Sequence, residues 1–320
     1  MASWPRRGDG PMRVAVMGAG AVGGYFGAKL ERDGHEVWFI SKGERRKAMR
    51  ISGLRVESID GDFQIVPLRT TRDASSIGPV DLVLFTVKSL DTREAAEAAR
   101  PVVRAHTTVL AIQNGVENEA VIGEVLGEEH VVPGVAIIGV DMPEPGLIRH
   151  TNNGSITLGE VSGDETRRVR DICEAFSGAG VETRVSSDIR SVKWRKLVWN
   201  AAFNPLTALT GRRVLDLIED DNTRTLAENA MREAIAVGRG LGHRIDDSII
   251  ELATRRDPNW ADSKTSMLQD IQRGRPTEID ALCGAVVRGG ERLNIPTPIN
   301  STLLGLVKAK ERAVVETRGH

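Results

Sequence analysis

Hydrophobic and polar positions divide the chain into two regimes. From Arg13 to about Arg184, short apolar runs alternate with longer amphipathic ones, as strands and helices do. Strands are predicted at the start, over Glu36–Ile40, over the near-continuous apolar run Val80–Val87 and over Thr108–Gln113. Two-fold patterned Leu54–Ser58 and Phe63–Pro67 suggest an antiparallel excursion, and Val131–Val140, Leu147–Thr151 and Ser155–Gly159 resemble outer strands of a mixed sheet. Helices are expected over Tyr25–Arg32, Thr92–Arg104, Glu117–Leu126 and Arg167–Ser177, with Val181–Val185 closing the region. From Asp188 onward only helical periodicity remains, over Ile189–Leu209, Leu226–Leu241, Asp246–Thr254, Ser263–Gln272, Ile279–Leu293 and Ser301–Glu316. The pattern predicts an α/β chain in which an N-terminal Rossmann-type doubly wound sheet is followed by an all-helical C-terminal domain. The expected division is a disordered extension over 1–11, a dinucleotide-binding domain over 12–187 and a helical substrate and catalytic domain over 188–320.

The first strand runs directly into Gly18-Ala19-Gly20-Ala21-Val22-Gly23, with glycines at G-x-G-x-x-G spacing. In this context Gly18 permits a tight turn, Gly20 a close approach of backbone N–H groups to a pyrophosphate, and Gly23 close packing of helix on sheet. No Gly-Lys-Ser/Thr follows, which excludes an NTPase P-loop. The tip of the second strand reads Ser41, Lys42, Gly43, Glu44, Arg45, Arg46. Lys42 with Arg45 behind it favours a 2′-phosphate and hence NADP(H). Glu44 is the acidic rival that NAD would want, but an acid early in a helix is ordinary.

Charge and cysteine content narrow the class further. In 320 residues the net charge is −1, which gives no electrostatic case for nucleic acid or an anionic membrane. Cys173 and Cys283 suggest neither a disulfide framework nor a zinc site, and a cytoplasmic compartment fits. The N-terminal MASWPRRGDGP lacks the apolar core of a signal peptide, and apolar runs elsewhere are too short or interrupted to span a membrane.

Chemistry concentrates at strand ends and on one helix. Lys88 and Asn114 follow the third and fourth parallel strands, where ligands of such folds bind, although each could merely cap a turn. The helix around Trp194–Leu209 is mostly apolar all round, yet Lys196, Asn200 and Asn204 recur at intervals of four and form one polar stripe. Buried amides and ammonium groups need partners, so the stripe faces either a ligand or an interhelical network. Pro205 cannot donate to the Ala201 carbonyl, which leaves a free acceptor beside the stripe. Ser266-Met-Leu-Gln-Asp270 and Pro276-Thr-Glu-Ile-Asp280 could supply partners. Glu278 either caps the helix expected after Thr277 or approaches Lys196.

The motifs GAGAVGG, FTVKS, IQNGVEN, WRKLVWNAAFNPLTAL, SMLQD and RPTEID occur in the order in which the ketopantoate reductase (2-dehydropantoate 2-reductase) family carries them, and the chain resembles that family after its N-terminal extension. The resemblance implies NADPH-dependent reduction of 2-dehydropantoate to (R)-pantoate, a step toward pantothenate and coenzyme A. It implies Lys196 as the catalytic lysine, Glu278 as its acidic partner, and substrate-site positions for Asn114, Asn200, Asn204 and Ser266. No metal is required. Lys42 departs from the Arg that the family often has at the 2′-phosphate. The expected partner is a small 2-oxo acid, and a homodimer is left open. Competing readings are another 2-hydroxyacid or 3-hydroxyacid dehydrogenase on the same plan, and an NADP-binding sensor without turnover.

Overall fold

A computed structural model of the chain describes residues 10–256 and 264–318; residues 1–9 of the N-terminal extension and Ser263 lie outside them. The described residues cluster into two compact units. One runs up to Gln113 and resumes over Asn118–Ile189; the other comprises Asn114–Glu117 and the chain from Arg190.

In the first unit the elements are β1 (Arg13–Met17), α1 (Ala21–Arg32), β2 (Glu36–Ile40), α2 (Gly43–Ser52), β3 (Leu54–Ser58), β4 (Phe63–Ile65), β5 (Thr70–Thr71), β6 (Leu82–Phe85), α3 (Thr92–Ala99), β7 (Thr108–Ala111), α4 (Asn118–Leu126), β8 (Val131–Glu144), β9 (Leu147–Leu158), α5 (Arg167–Gly178) and β10 (Thr183–Val185). They build one sheet in the order β4-β3-β9-β8-β7-β6-β1-β2-β5, with β10 also on β9. The strands from β5 to β8 pair in parallel. Antiparallel pairing enters where β8 meets β9 and β3 meets β4.

Residue alternation decides the two faces. Val14 and Val16 of β1 join Phe26 and Leu30 of α1 and Ile172 and Phe176 of α5 in one core. Ala15 and Met17 join Ala95 and Ala99 of α3 and Ile122 and Val125 of α4 in the other. Strands buried on both sides are predominantly apolar, which is why β6 reads as an unbroken apolar run and β7 as one after Thr108. From β1 the chain crosses to β2 on one side and resumes at β6 on the other. The carboxyl end of β1 is therefore a topological switch point, and the glycine turn sits there.

Three expectations change in detail. The segments expected as separate strands around Leu147–Thr151 and Ser155–Gly159 form the single strand β9, with a positive φ at Asn153 accommodating its irregular pairing. Expected as an excursion, β3 also pairs in parallel with β9 and so extends the main sheet. Thr92–Arg104 ends its α-helix at Ala99 and continues as a 3-10 turn over Arg100–Val102, where Pro101 cannot supply an interior donor.

The second unit is helical: α6 (Ile189–Thr210), α7 (Val214–Glu219), α8 (Asp221–Gly240), α9 (Ser248–Thr254), α10 (Ser266–Arg273), α11 (Cys283–Leu293) and α12 (Pro298–Arg318). Its centre is α6, whose Leu197, Val198, Ala201, Ala202, Phe203 and Leu206 are buried in one cluster with residues of α8, α11 and α12. Because α6 continues through Pro205, the Ala201 carbonyl has no backbone donor four residues on. Cys283 Sγ, 3.3 Å away, takes that place. Burial pushes the Cys283 thiol well up, so it remains S–H and can donate. None of the helices among the described residues is long and apolar enough to cross a membrane.

Replacing Cys283 with Ala orphans the Ala201 carbonyl and should lower unfolding stability by roughly 1–3 kcal/mol in urea titrations. Cys173→Ala, at a partly buried thiol, is the comparison. A Cys283→Ala protein as stable as the parent would show that the S–H contributes nothing to this helix.

Candidate active site

The glycine turn is held by its neighbours. A Cβ on Gly18, where φ is +100°, would lie 2.6 Å from Val87 N; one on Gly23 would lie 2.3 Å from Thr86 Oγ1 and 2.4 Å from Gly18 O. Gly20 differs, since a Cβ there would meet nothing closer than Gly18 O at 4.0 Å. The open space lies beside the start of α1, whose N-cap, Gly20, offers no side chain and whose first turn carries no acid. Gly20 N donates to Gly18 O at 2.7 Å, so the donors on offer are the first-turn N–H groups of Ala21, Val22 and Gly23. These features fit a dinucleotide pyrophosphate. Thr86, which sequence patterning overlooked, donates to Gly18 O at 2.8 Å and fixes the turn from β6. Its signal was a hydroxyl placed immediately after a buried strand.

At the tip of β2, Ser41 is 6% exposed, and its Oγ has no hydrogen-bond partner among the described residues. The Arg46 Nε is likewise unpartnered. Two orphaned donors suit a phosphorylated ribose, because a buried polar atom without a partner is costly. Lys42 is at the N-cap of α2, its Nζ 2.8 Å from Glu94 Oε1. That pair is three-quarters exposed, so it holds Lys42 weakly against a competing dianion. Glu44 stands in the first turn of α2 as a dipole-favourable acid and pairs with Lys47 at 3.9 Å. Arg45 is half-buried on the same turn, and Lys88 opens the 3-10 turn after β6.

In the helical unit three of the expected residues converge. Lys196 Nζ donates to Asn114 Oδ1 at 2.9 Å, and Asn114 Nδ2 donates to Glu278 Oε2 at 3.0 Å. Asn114 reaches Lys196 because its segment belongs with the helices: Val116 packs on the helical core. Burial pulls the Lys196 ammonium down to about 8, and Lys193 pushes the same way. Glu278 holds it up against both. Glu278 is not a helical residue, since turns over 279–282 precede α11, and Thr277 Oγ1 accepts from Ile279 N at 3.3 Å.

Asn200 and Asn204, 6% and 3% exposed, follow Lys196 along α6, and neither side-chain amide has a partner among the described residues. Ser266 is exposed in the first turn of α10. It is brought to the Asn204 turn by its neighbour Thr265, whose hydroxyl meets Thr207 Oγ1 at 2.5 Å, while Thr207 Oγ1 also donates to Asn204 O at 3.0 Å. Sequence reasoning missed this threonine pair, although a Thr on a buried apolar helix is itself a signal of a partner.

Comparisons with known proteins identify the family. A family profile described as "Ketopantoate reductase PanE/ApbA" matches residues 14–163, and "Ketopantoate reductase PanE/ApbA C terminal" matches 188–311. The chain belongs to the ketopantoate reductase family. A 2-dehydropantoate 2-reductase of Mesorhizobium japonicum is 35% identical over 318 residues, covering 93% of this chain and 97% of that one. The crystal structure of a PanE/ApbA family ketopantoate reductase from Ralstonia eutropha JMP134 superposes with a TM-score of 0.88 at 35% identity, covering 95% of this chain and 99% of that one. A ternary structure of D-mandelate dehydrogenase with NADH and anilino(oxo)acetate shares the fold, with a TM-score of 0.89 at 24% identity over 95% of this chain and 99% of that one. As a member of the ketopantoate reductase family the protein is an oxidoreductase.

In this reductase the carboxylate of Glu278 favours the charged form of Lys196. Glu278→Gln should therefore move the Lys196 titration below about 8. Carbon-13 NMR of lysine Cε, assigned with Lys196→Ala, measures it. A titration that stays put or rises would mean that Glu278 does not act on the ammonium.

Proposed function

We propose that the protein reduces 2-dehydropantoate to (R)-pantoate with NADPH, with Lys196 as general acid, in the reducing cytoplasm and toward pantothenate and coenzyme A. The single observation that carries the reading is the Lys196–Asn114–Glu278 chain of hydrogen bonds, with a cation held near pH 8 at one end and a carboxylate at the other. The glycine-turn unit would hold the dinucleotide, with Gly18–Gly23 at its phosphates and Ser41, Lys42 and Arg45 at the 2′-phosphate. Lys88 would hold it from the end of β6, and the helical unit would hold the oxo acid. Bound there, the nicotinamide supplies the hydride that reaches the ketone carbon.

The protein's part is to manage charge and position. As the ketone oxygen gains negative charge, Lys196 Nζ stabilises it and gives it a proton. Glu278, acting through Asn114, keeps that ammonium charged before the transfer. Asn200 and Asn204 present otherwise unpartnered amides to the hydroxyl and carbonyl oxygens of the substrate. The substrate carboxylate meets Ser266, where the start of α10 adds first-turn N–H donors.

The test is a panel of 2-oxo acids, aryl members included, against NADPH and NADH. 2-Dehydropantoate with NADPH should lead in kcat/KM. Lys196→Ala should lower kcat by roughly 10²–10⁴ with little change in NADPH affinity. In the parent, the reduction rate should persist at low pH and decline as pH rises through about 8, because only the ammonium form donates. A different 2-oxo acid ahead by orders of magnitude would leave the reaction class and remove the substrate. A Lys196→Ala variant with the parent's kcat would remove the lysine from the chemistry.

Cofactor choice has its own test. Lys42→Asp places a like charge beside the 2′-phosphate and should lower kcat/KM for NADPH by at least roughly tenfold, on the scale of one charge-assisted hydrogen bond. NADH should lose far less. Equal losses for both cofactors would assign Lys42 to the turn and leave Ser41, Arg45 or Arg46 to choose between them.

A further inference from the structure

We propose that Arg288 is a positioning residue for the reaction: its guanidinium grips the loop that carries Asn114 and the turn that carries Glu278, and so holds the Asn114 amide in place between Lys196 and Glu278. The inference rests on the reading of Lys196 as general acid. Arg288 lies on α11. Its Nη2 donates to Glu117 Oε2 in a very short contact, and its Nε approaches Glu117 Oε1 at 3.4 Å. The same Nη2 donates to the Asp280 carbonyl oxygen at 2.9 Å. Glu117 is three residues beyond Asn114, and Asp280 is two beyond Glu278. One planar cation thus joins the two segments whose side chains meet at 3.0 Å in the Asn114–Glu278 hydrogen bond.

Local details serve this grip. A Cβ on Gly284 would lie 3.0 Å from Arg288 Nη1 and 3.4 Å from Asp280 Oδ1, so the missing side chain leaves the guanidinium room to fold back along α11. Lys308 of α12 also pairs with this turn, its Nζ 2.6 Å from Asp280 Oδ1. The Arg288–Glu117 pair is about half exposed, so it adds little to global stability. Its value is geometric, because displacing a catalytic group by about 1 Å can cost on the order of 10² in rate. Lysine should substitute only in part, since its ammonium lacks the rigid planar fork that fixes two acceptors relative to each other.

The experiment uses the full chain with Arg288→Ala, Arg288→Lys and Glu117→Gln. Each variant should unfold close to the parent, bind NADPH within about twofold and lose roughly tenfold in kcat, with Arg288→Lys recovering only part. Lysine Cε NMR supplies a readout that a merely structural role would not move. Among the described residues, Lys193 and Glu278 act on the charge of Lys196. Slackening the Glu278 turn should lower the Lys196 titration, whereas simple loss of the Arg288 charge would raise it. The proposal is overturned by a parental kcat in Arg288→Ala and Glu117→Gln, by full recovery in Arg288→Lys, or by a Lys196 titration that is unchanged or raised in Arg288→Ala. Should Arg288→Ala fail to fold, the near-isosteric Glu117→Gln decides by kcat against NADPH affinity alone, because losing the Glu117 charge would itself lower the Lys196 titration. If the parent turns over none of the 2-oxo acids, the reductase reading fails, and the titration still decides whether Arg288 positions Asn114.

Discussion

A buried lysine on a mostly apolar helix can remain charged only if other segments bring polar groups to it, and the helical unit is arranged around that requirement. On α6, Lys193, Trp194, Leu197, Val198 and Asn200, all within about a turn of Lys196, are buried. Desolvation alone would favour the neutral amine, and Lys193 adds repulsion. The compensating carboxylate comes from a different part of the chain. Gly274, at φ 59°, ends α10, and Pro276 follows; α11 does not begin until Cys283. Keeping Glu278 in that irregular turn places its carboxylate within reach of Asn114. The end of the same turn delivers Cys283 to the carbonyl that Pro205 leaves open. One polar requirement and one proline therefore account for both anchors between α6 and the chain entering α11.

The α/β unit meets a different constraint, close approach. Its glycines occur where backbone or side-chain atoms would collide with a Cβ, at Gly18 and Gly23, or where space is left open, at Gly20. Thr86 closes the arrangement from the neighbouring strand. The unit leaves hydrogen-bonding capacity unused at both ends of the expected dinucleotide: first-turn N–H groups at α1, and Ser41 and Arg46 at the tip of β2. Leaving a buried hydroxyl unpaired costs on the order of 1–3 kcal/mol, an arrangement that makes physical sense where a ligand completes it.

Sequence patterning disclosed most of the α/β order, because strands buried on both faces and amphipathic helices write their periods directly into the chain. It also singled out Lys196, Asn200 and Asn204, since a four-residue recurrence of polar groups on a mostly apolar helix is a local signal. What it missed depended on neighbours distant in sequence. The single β9 is a product of pairing with β8 and β3 and carries the positive φ at Asn153, which interrupts its pattern. Helix α7, six residues long, is too short to express a period. α11 starts only at Cys283, after a turn whose Ile279 and Leu282 are buried in the helical core. Glu278 was legible as a partner for Lys196, but the means was not, because Asn114 lies 164 residues from Glu278 and 82 from Lys196.

That an amide stands between the two charges has a chemical consequence of its own. Lysine can only donate and a carboxylate can only accept, so the orientation of Asn114 is dictated: Oδ1 toward Lys196 and Nδ2 toward Glu278. Being neutral, the amide satisfies both ends without adding charge. An aspartate at the same position would place a second anion against Lys196 and push its titration back up, making the ammonium a poorer acid at neutral pH. A leucine of similar size would leave donor and acceptor unsatisfied at once. Of the side chains of this size, asparagine is the one that transmits the carboxylate's hold while letting burial keep the ammonium near 8, where it can both carry a proton and release it.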